Sequence, residues 1–409
     1  MVVVAVPGLG RLLWGRGISA LGDGMWFTIW AIYFTRERGL SGATVGLAMA
    51  LAAACGLAAA VPLGALADRR GPRGVLVAIT VVRAAAMAGY LLGGGLLPFL
   101  VATVGFVALA NGASAVRTAL VAALVSDNIA RVRALAQQRV VQHVGNAVGA
   151  GLGALVLTAD RPAGYLLAIV SNVLTFLVLA VLTATVPAPA TLPTAAGRPR
   201  VRAVLRDLPY ASVVGTTALL SLCWAMLSTG LPLWISGHTS LPLALSGAVV
   251  VISSLGIAAG QVPATRLART PAAAARTTVW SGVVLAASCA LLATTAGGGG
   301  TVAVAVVVAA ALLHLAGELG YVSAAWGLSV PLMREEARGA YQGVAESATA
   351  AVQIVGPAVF TLALGTGHAL GWLAVGALFL LAVAPVPALT RWAVRTRQPA
   401  ETPAPAPVS

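Results

Sequence analysis

The chain has 409 residues, of which 59% are hydrophobic and only 9% charged, giving a mean hydropathy of +0.95. Soluble domains carry about 25% charged residues, and no water-soluble fold could hide so much apolar surface. The formal charge of +14 comes from arginines without a single lysine; because these recur in alternate loops instead of forming a patch, nucleic acid is excluded as a partner.

A bilayer core about 30 Å thick needs roughly 20 apolar residues per helical crossing. The chain holds enough apolar runs for twelve. The N-terminal MVVVAVPGLGRLLWGRG lacks the basic, apolar, small-residue order of a cleaved signal and reads as mature sequence. Apolar runs between polar or Gly/Pro breaks predict helices over 11–35, 41–67, 74–93, 97–125, 137–158 and 163–185, then 207–236, 241–264, 277–296, 301–326, 341–364 and 369–391. Prolines, small residues and arginines mark 186–206 as an irregular linker, and 399–409 reads as a disordered tail. The expected fold is all-α and integral to the membrane, with twelve helices in two pseudo-symmetric six-helix halves, 1–185 and 207–398. The three cysteines (Cys55, Cys223 and Cys289) stand singly in apolar runs without metal-type spacing.

One alternating set of loops and ends holds Arg11, Arg16, Arg69, Arg70, Arg73, Arg131, Arg133, Arg139 and the arginines at 198–206, 266–276, 334–338 and 391–397, which is 20 of the 25 basic residues. The positive-inside rule then places both termini and the linker in the cytoplasm, with anionic lipid beside them. A faint repeat relates Val61–Gly71 (VPLGALADRRG) to Val262–Ala272 (VPATRLARTPA), and ARVRALAQ before the fifth helix to EARGAYQG before the eleventh. Matching positions in two halves suggest a central path between them.

Ionisable groups inside a bilayer are costly and mark function. In the first helix Arg16, Asp23, Phe27, Trp30 and Phe34 share one face, within roughly 40° at 100° per residue. Asp23 either faces a central cavity, titrating or meeting a cationic substrate beside the aromatics, or is held by Arg16 or Arg83, with the aromatics as ordinary packing. Asn111 in the fourth helix is a further polar candidate for the cavity. In the tenth, Glu318 has His314 one turn before it and Tyr321 one turn after. Burial changes the protonation of such groups, so Glu318 and His314 are candidates for coupling to protons; a neutral hydrogen bond fixing helix packing is the alternative. Glu346 and Gln342, one turn apart at the start of the eleventh helix, belong to a gate or to a solvated helix end, with Glu346 a further candidate for coupling to protons. Enzyme signatures are missing: the sequence shows no paired Cys/His spacing, no nucleotide loop and no nucleophile elbow. No cofactor or metal is expected.

Gly64–Gly74, GALADRRGPRG, fits Gly-x-x-x-Asp-Arg-x-Gly-x-Arg, with Gly64, Asp68, Arg69, Gly71 and Arg73 at the specified places. This resembles the signature of the major facilitator superfamily between helices two and three, and the twelve-helix layout extends the resemblance over the whole chain. It implies a secondary transporter working by alternating access. It also implies that Asp68 latches onto the start of helix eleven and nearby arginines, Arg117 among them, when the protein faces outward. The chain is further similar to actinobacterial drug/proton antiporters, whose Gly-rich fifth helix it shares in Gly145, Gly149, Gly151 and Gly153; the Gly-Pro pair of that motif stands here in helix eleven, at Gly356–Pro357. The resemblance implies proton-coupled efflux of an amphiphilic small molecule by a monomer in the plasma membrane. A nutrient importer of the same fold and a membrane-embedded lipid-modifying enzyme are the rivals. The enzyme requires acidic clusters at a membrane face, and the eleven acids are scattered.

Overall fold

A computed structural model describes residues 7–92, 95–159, 161–188, 201–367 and 369–397. Every regular element in them is helical. The first half contains α1 (Leu9–Ile32, closed by a π-helical turn Tyr33–Glu37), α2 (Gly42–Arg70), α3 (Pro72–Gly89), α4 (Leu96–Leu124), α5 (Asn128–Ala159) and α6 (Pro162–Ala184). A short turn, Val201–Leu205, precedes α7 (Leu208–His238), α8 (Ala244–Ala264), α9 (Pro271–Ala293), α10 (Gly300–Leu332), α11 (Arg338–Gly367) and α12 (Ala369–Arg395, with a break before Val386). Eleven of these are long and apolar enough to cross a membrane. The remaining one, α1, has the length but carries Arg11, Arg16 and Asp23, and it is seated by packing against α5 and α6.

Helix starts follow local chemistry. Ser41, Thr270 and Asp207 cap α2, α9 and α7 by accepting the N–H groups of Thr44, Ala273 and Tyr210 at 3.1, 3.1 and 3.3 Å, which satisfies donors a helix start leaves free. Pro72, Pro162 and Pro271 occupy first-turn positions, where no N–H is needed. Gly71 makes the turn from α2 to α3 at φ +89°, a conformation costly for any side chain.

Several boundaries differ from the sequence expectation. α5 starts at Asn128, not 137, because the Asp127 carboxylate accepts the Ala130 N–H at 2.7 Å and opens the helix early. Arg131 and Arg133 therefore lie on a helix, not in a loop. α9 likewise begins at Pro271, which brings Arg276 into it, and α10 runs on to Leu332. The single helix expected over 207–236 is interrupted by a 3-10 turn at Leu219–Ser221 and a π turn at Met226–Gly230, just ahead of Pro232, which has no N–H to offer the ladder. The tail 399–409, His368 and most of the linker lie outside the described residues.

Within lipid, close backbone approach replaces the hydrophobic drive for helix pairing. The glycines of α5 show this. A Cβ at Gly145 would strike the Gly17 carbonyl, one at Gly149 the Leu21 carbonyl, and one at Gly153 the Met25 carbonyl, all on α1. The stripe therefore seats α1 against α5 inside one half, whereas Gly151 faces open space.

Both described chain ends lie at the same end of the bundle. There Arg11 donates to the Thr185 carbonyl at 2.7 Å, Arg73 to that of Val186 at 2.9 Å and Arg397 to that of Leu332 at 2.8 Å. One hydrophobic core at this terminal end joins the two halves, from Leu9, Leu76 and Leu120 to Tyr210, Leu328 and Tyr341. Two further cores stay within single halves, one around Trp26, Phe34 and Phe106 and the other around Trp234, Phe360 and Trp372. The halves are thus sealed together at the terminal end and separately packed elsewhere.

Candidate functional site

The seal is made where α2 meets α11. Asp68, in the last turn of α2, accepts the backbone N–H groups of Gly339 at 2.7 Å and Ala340 at 2.9 Å. These are first-turn donors of α11, which have no partner within their own helix, at the positive end of the helix dipole. Gly64 and Gly339 let the two backbones touch: a Cβ on either would collide with the other's carbonyl. One turn on, Gly343 lies against Ala60 and Val61, and the Ser347 hydroxyl donates to the Leu57 carbonyl at 3.1 Å. A second tie at this end joins Arg131 of α5 to Glu335 at 2.7 Å, and Arg338 closes on the same carboxylate. Of the arginines in the loop motif, Arg73 reaches Val186 and Arg69 is exposed.

Beyond the seal, a cavity of about 430 Å³ opens between α4 and α5 of one half and α7, α10 and α11 of the other. Glu318 stands in its wall with a side chain 3% exposed. Its carboxylate pairs with Arg139 of α5, across the interface, and accepts the indole N–H of Trp224 at 2.8 Å. The Arg139 guanidinium also lies over the Trp224 ring, 5.6 Å from its centroid, where a cation is attracted to the ring face. Trp224 reaches this point from the irregular stretch of α7. His314, one turn before Glu318, places Nε2 2.8 Å from the Cys223 carbonyl and Nδ1 4.0 Å from the second Glu318 oxygen. A carbonyl can only accept, so Nε2 carries a hydrogen. The buried Nδ1 then faces the carboxylate without a hydrogen-bond partner.

Glu346 of α11 accepts the Ser114 hydroxyl of α4 at 2.9 Å, a second polar contact across the cavity. Gln342 and Glu346 both line that cavity, so the helix start where they stand is not simply solvated. Arg117, Gln138, His143 and Tyr321 line it as well, with the Tyr321 ring 5.9 Å from that of Trp224. Arg117 does not join the latch, since the structure points it into the cavity with no ion-pair partner.

Most of the α1 candidates stand elsewhere. Asp23 is held by Arg16 at 3.4 Å and Arg83 at 4.0 Å, and none of the three is in the cavity lining. Arg83 is fixed in turn by a 3.0 Å bond to the Phe106 carbonyl and by the faces of Phe106 and Phe176. Phe34 is a correction to the aromatic stripe: it is buried against Phe99, Tyr90 and Trp26, with centroids 4.6, 5.0 and 5.7 Å away, at the end of α1 where the helix changes to a π turn. Trp30 packs on the same cluster, and Phe27 is 46% exposed near Phe106. Asn111 faces α2 at Gly56. The sequence reading missed Arg139, Trp224 and Ser114 as site residues; the one available signal was Arg139 lying one helical turn before His143.

At the terminal end Asp207 joins α7, α11 and the last residues of α12. It accepts from the Tyr341 hydroxyl at 2.5 Å and Arg397 at 2.6 Å. Burial opposes its ionisation, but these bonds and the Arg397 charge outweigh it and hold the carboxyl below the usual carboxylate range.

No curated protein sequence matches the chain. The fold, however, is shared with solved transporters. A bacterial homologue of the iron transporter ferroportin, in an outward-facing state, superposes with a TM-score of 0.72 at 16% identity, covering 95% of this chain and 99% of that one. The human organic anion transporter MFSD10 (TETRAN) gives 0.65 at 16% identity over 93% and 98%. The proton:xylose symporter XylE, bound to 6-bromo-6-deoxy-D-glucose, gives 0.68 at 14% identity over 92% and 93%. The sequence model of the Major Facilitator Superfamily matches residues 12–357, the span that contains the latch, both halves of the cavity and the Glu318 pair. With twelve helices sealed at Asp68 around a charged central cavity, the chain belongs to the Major Facilitator Superfamily and has the fold of a transporter.

Proposed function

We propose that this transporter exports an amphiphilic small molecule in exchange for protons, as drug/proton antiporters do, working as a monomer in the plasma membrane. The observation that carries the reading is the buried Arg139–Glu318 pair bridging the halves, with His314 facing the same carboxylate. Orientation follows the arginines: the terminal end faces the cytoplasm and its anionic lipid, so the described state is closed inward. A proton arriving from outside would neutralise Glu318, release Arg139 and allow the halves, 1–185 and 207–398, to rock apart at the latch. Cargo would then bind from the cytoplasm as the proton leaves. The aromatic rings of Trp224, Tyr321 and Trp326 beside charged and amide side chains suit an amphiphilic cargo. Asp23, held by two arginines, is the second coupling candidate.

The reading is tested without knowing the cargo. Trp224 fluorescence, isolated by difference from Trp224→Phe, should respond to pH, and the response should vanish in Glu318→Gln. A cargo found by growth of expressing cells on toxic amphiphiles should then accumulate inside everted vesicles only under a pH gradient, acid inside. Uptake into such vesicles that ignored the gradient, or a cargo accumulated by whole cells, would refute proton-driven export.

A further inference from the structure

Arg117 of α4 is the group the coupling scheme leaves unused. It is 6% exposed, its Nε is buried without an acceptor, and among the described residues it has no hydrogen bond and no ion pair. A guanidinium cannot shed its charge in a protein, and an unpaired buried charge is among the most costly features a fold can contain. Glu346, hydrogen-bonded to Ser114, acts on Arg117 through space but makes no ion pair with it, while Glu318 pairs with Arg139 and Asp23 is shared by Arg16 and Arg83. Within and behind the cavity wall, four guanidinium groups therefore meet three carboxylates, and the excess positive charge is shared by Arg16, Arg83 and Arg117, of which Arg117 alone lines the cavity. Arg117 also lines the cavity beside Thr118 and Gln138, and the Gln138 amide oxygen is itself buried without a donor.

We propose that Arg117 is the cargo's anchor, and that the cargo carries a single oxyanion, a carboxylate or sulfonate, on an apolar body. The Arg117 fork accepts such a group in two-point geometry, with the Thr118 hydroxyl and the Gln138 amide able to add donors. Trp326 and Trp224 line the opposite wall, where the apolar body rests. The inference rests on the transporter's central cavity being its binding site, and not on the direction or energy source of transport.

The test uses the purified full chain in detergent, without a gradient, and three isosteric probes: 2-naphthoate, 2-naphthamide and 2-naphthylmethylamine. Thermal unfolding should be delayed by the carboxylate and not by the amide or amine. Arg117→Gln should weaken naphthoate binding about tenfold or more, the loss expected for a charged hydrogen bond, and Arg117→Lys should restore part of it. The unliganded R117Q protein should unfold at a higher temperature than the wild type, because an uncompensated charge is gone. The proposal is overturned if the amide or amine matches the carboxylate, if R117Q binds naphthoate as the wild type does, if no probe of the series binds, or if unliganded R117Q is less stable. Since no pH gradient is applied, failure of the proton-exchange reading would leave these outcomes untouched.

Discussion

Removing the Glu318 charge offers the sharpest view of how the halves are held. In Glu318→Gln the carboxamide can still accept from Trp224, but Arg139, whose side chain is 10% exposed, is left buried without its counter-ion. Breaking a buried ion pair from one side costs about 3–5 kcal/mol. The cost falls on the state in which the halves are joined at the terminal end, because only there does Arg139 reach across. A shift of about 3 kcal/mol changes the balance of sealed and open forms by more than about a hundredfold. Ala345, partly buried on α11 in the cavity wall, reports it: in a background lacking Cys55, an Ala345→Cys thiol should react slowly with an impermeant maleimide added from the terminal side. Glu318→Gln and Arg139→Gln should each speed that reaction strongly. The double variant should return towards the wild-type rate, since no charge is then stranded. If the double variant is as reactive as the two single effects combined, the two residues do not act as a pair and the reasoning fails.

Further predictions concern the seal and the terminal cluster. Asp68→Ala removes both acceptors from the α11 start, and bonds of this charged kind contribute about 1.5–3 kcal/mol, so the same thiol should become reactive from the terminal side; an unchanged rate would show that the latch is incidental. Gly64→Ala forces a methyl group into the Gly339 carbonyl and should also unseal the bundle, whereas Gly74→Ala, which meets nothing within 4 Å, should leave labelling and stability within about 0.5 kcal/mol of the wild type. For Asp207 the folded carboxyl titrates below its unfolded value, so the stability it adds is present above the ordinary carboxylate value of about 3.9 and is lost as the pH falls through the lowered one. Trypsin release of the chain end near Arg395, normalised at each pH to trypsin's cleavage of an unstructured peptide, should therefore be insensitive to pH from neutrality down to about 5, and Asp207→Asn should hasten it at neutral pH. A release rate that climbed steeply between pH 7 and 5 would contradict this.

How much of this was legible beforehand depends on the distance over which each feature is encoded. The Asp68 loop is a local pattern, so its place and its turn glycine could be read along the chain, whereas its helix-eleven partner, 271 residues away, was implied only by the resemblance to a family. Glu318 and His314 declared themselves as ionisable groups one turn apart in an apolar run. Arg139 and Trp224 could not, because they meet Glu318 from 179 and 94 residues away, and nothing in a single sequence pairs them. The start of α5 was obscured by its own chemistry: RVRALAQQR looks like a polar loop, yet Arg131 finds Glu335 and the Val125 carbonyl and is buried. The aromatic face of α1 had two readings, and a single sequence does not choose between them: Trp30 and Phe34 gather with the rings at the ends of α3 and α4 away from the seal, which is the packing alternative.

The latch between Asp68 and α11 has one unusual asymmetry: one partner is a side chain and the other is main chain. The bonds themselves use only main-chain N–H groups, so the carboxylate senses where the end of α11 is, while the absence of a side chain at Gly339 lets it come close enough to be sensed. Both bonds share one rigid helix terminus and one carboxylate, and they form or break together. Such a contact behaves as a detent, with no stable half-engaged position, which would confine this transporter to discrete closed and open states.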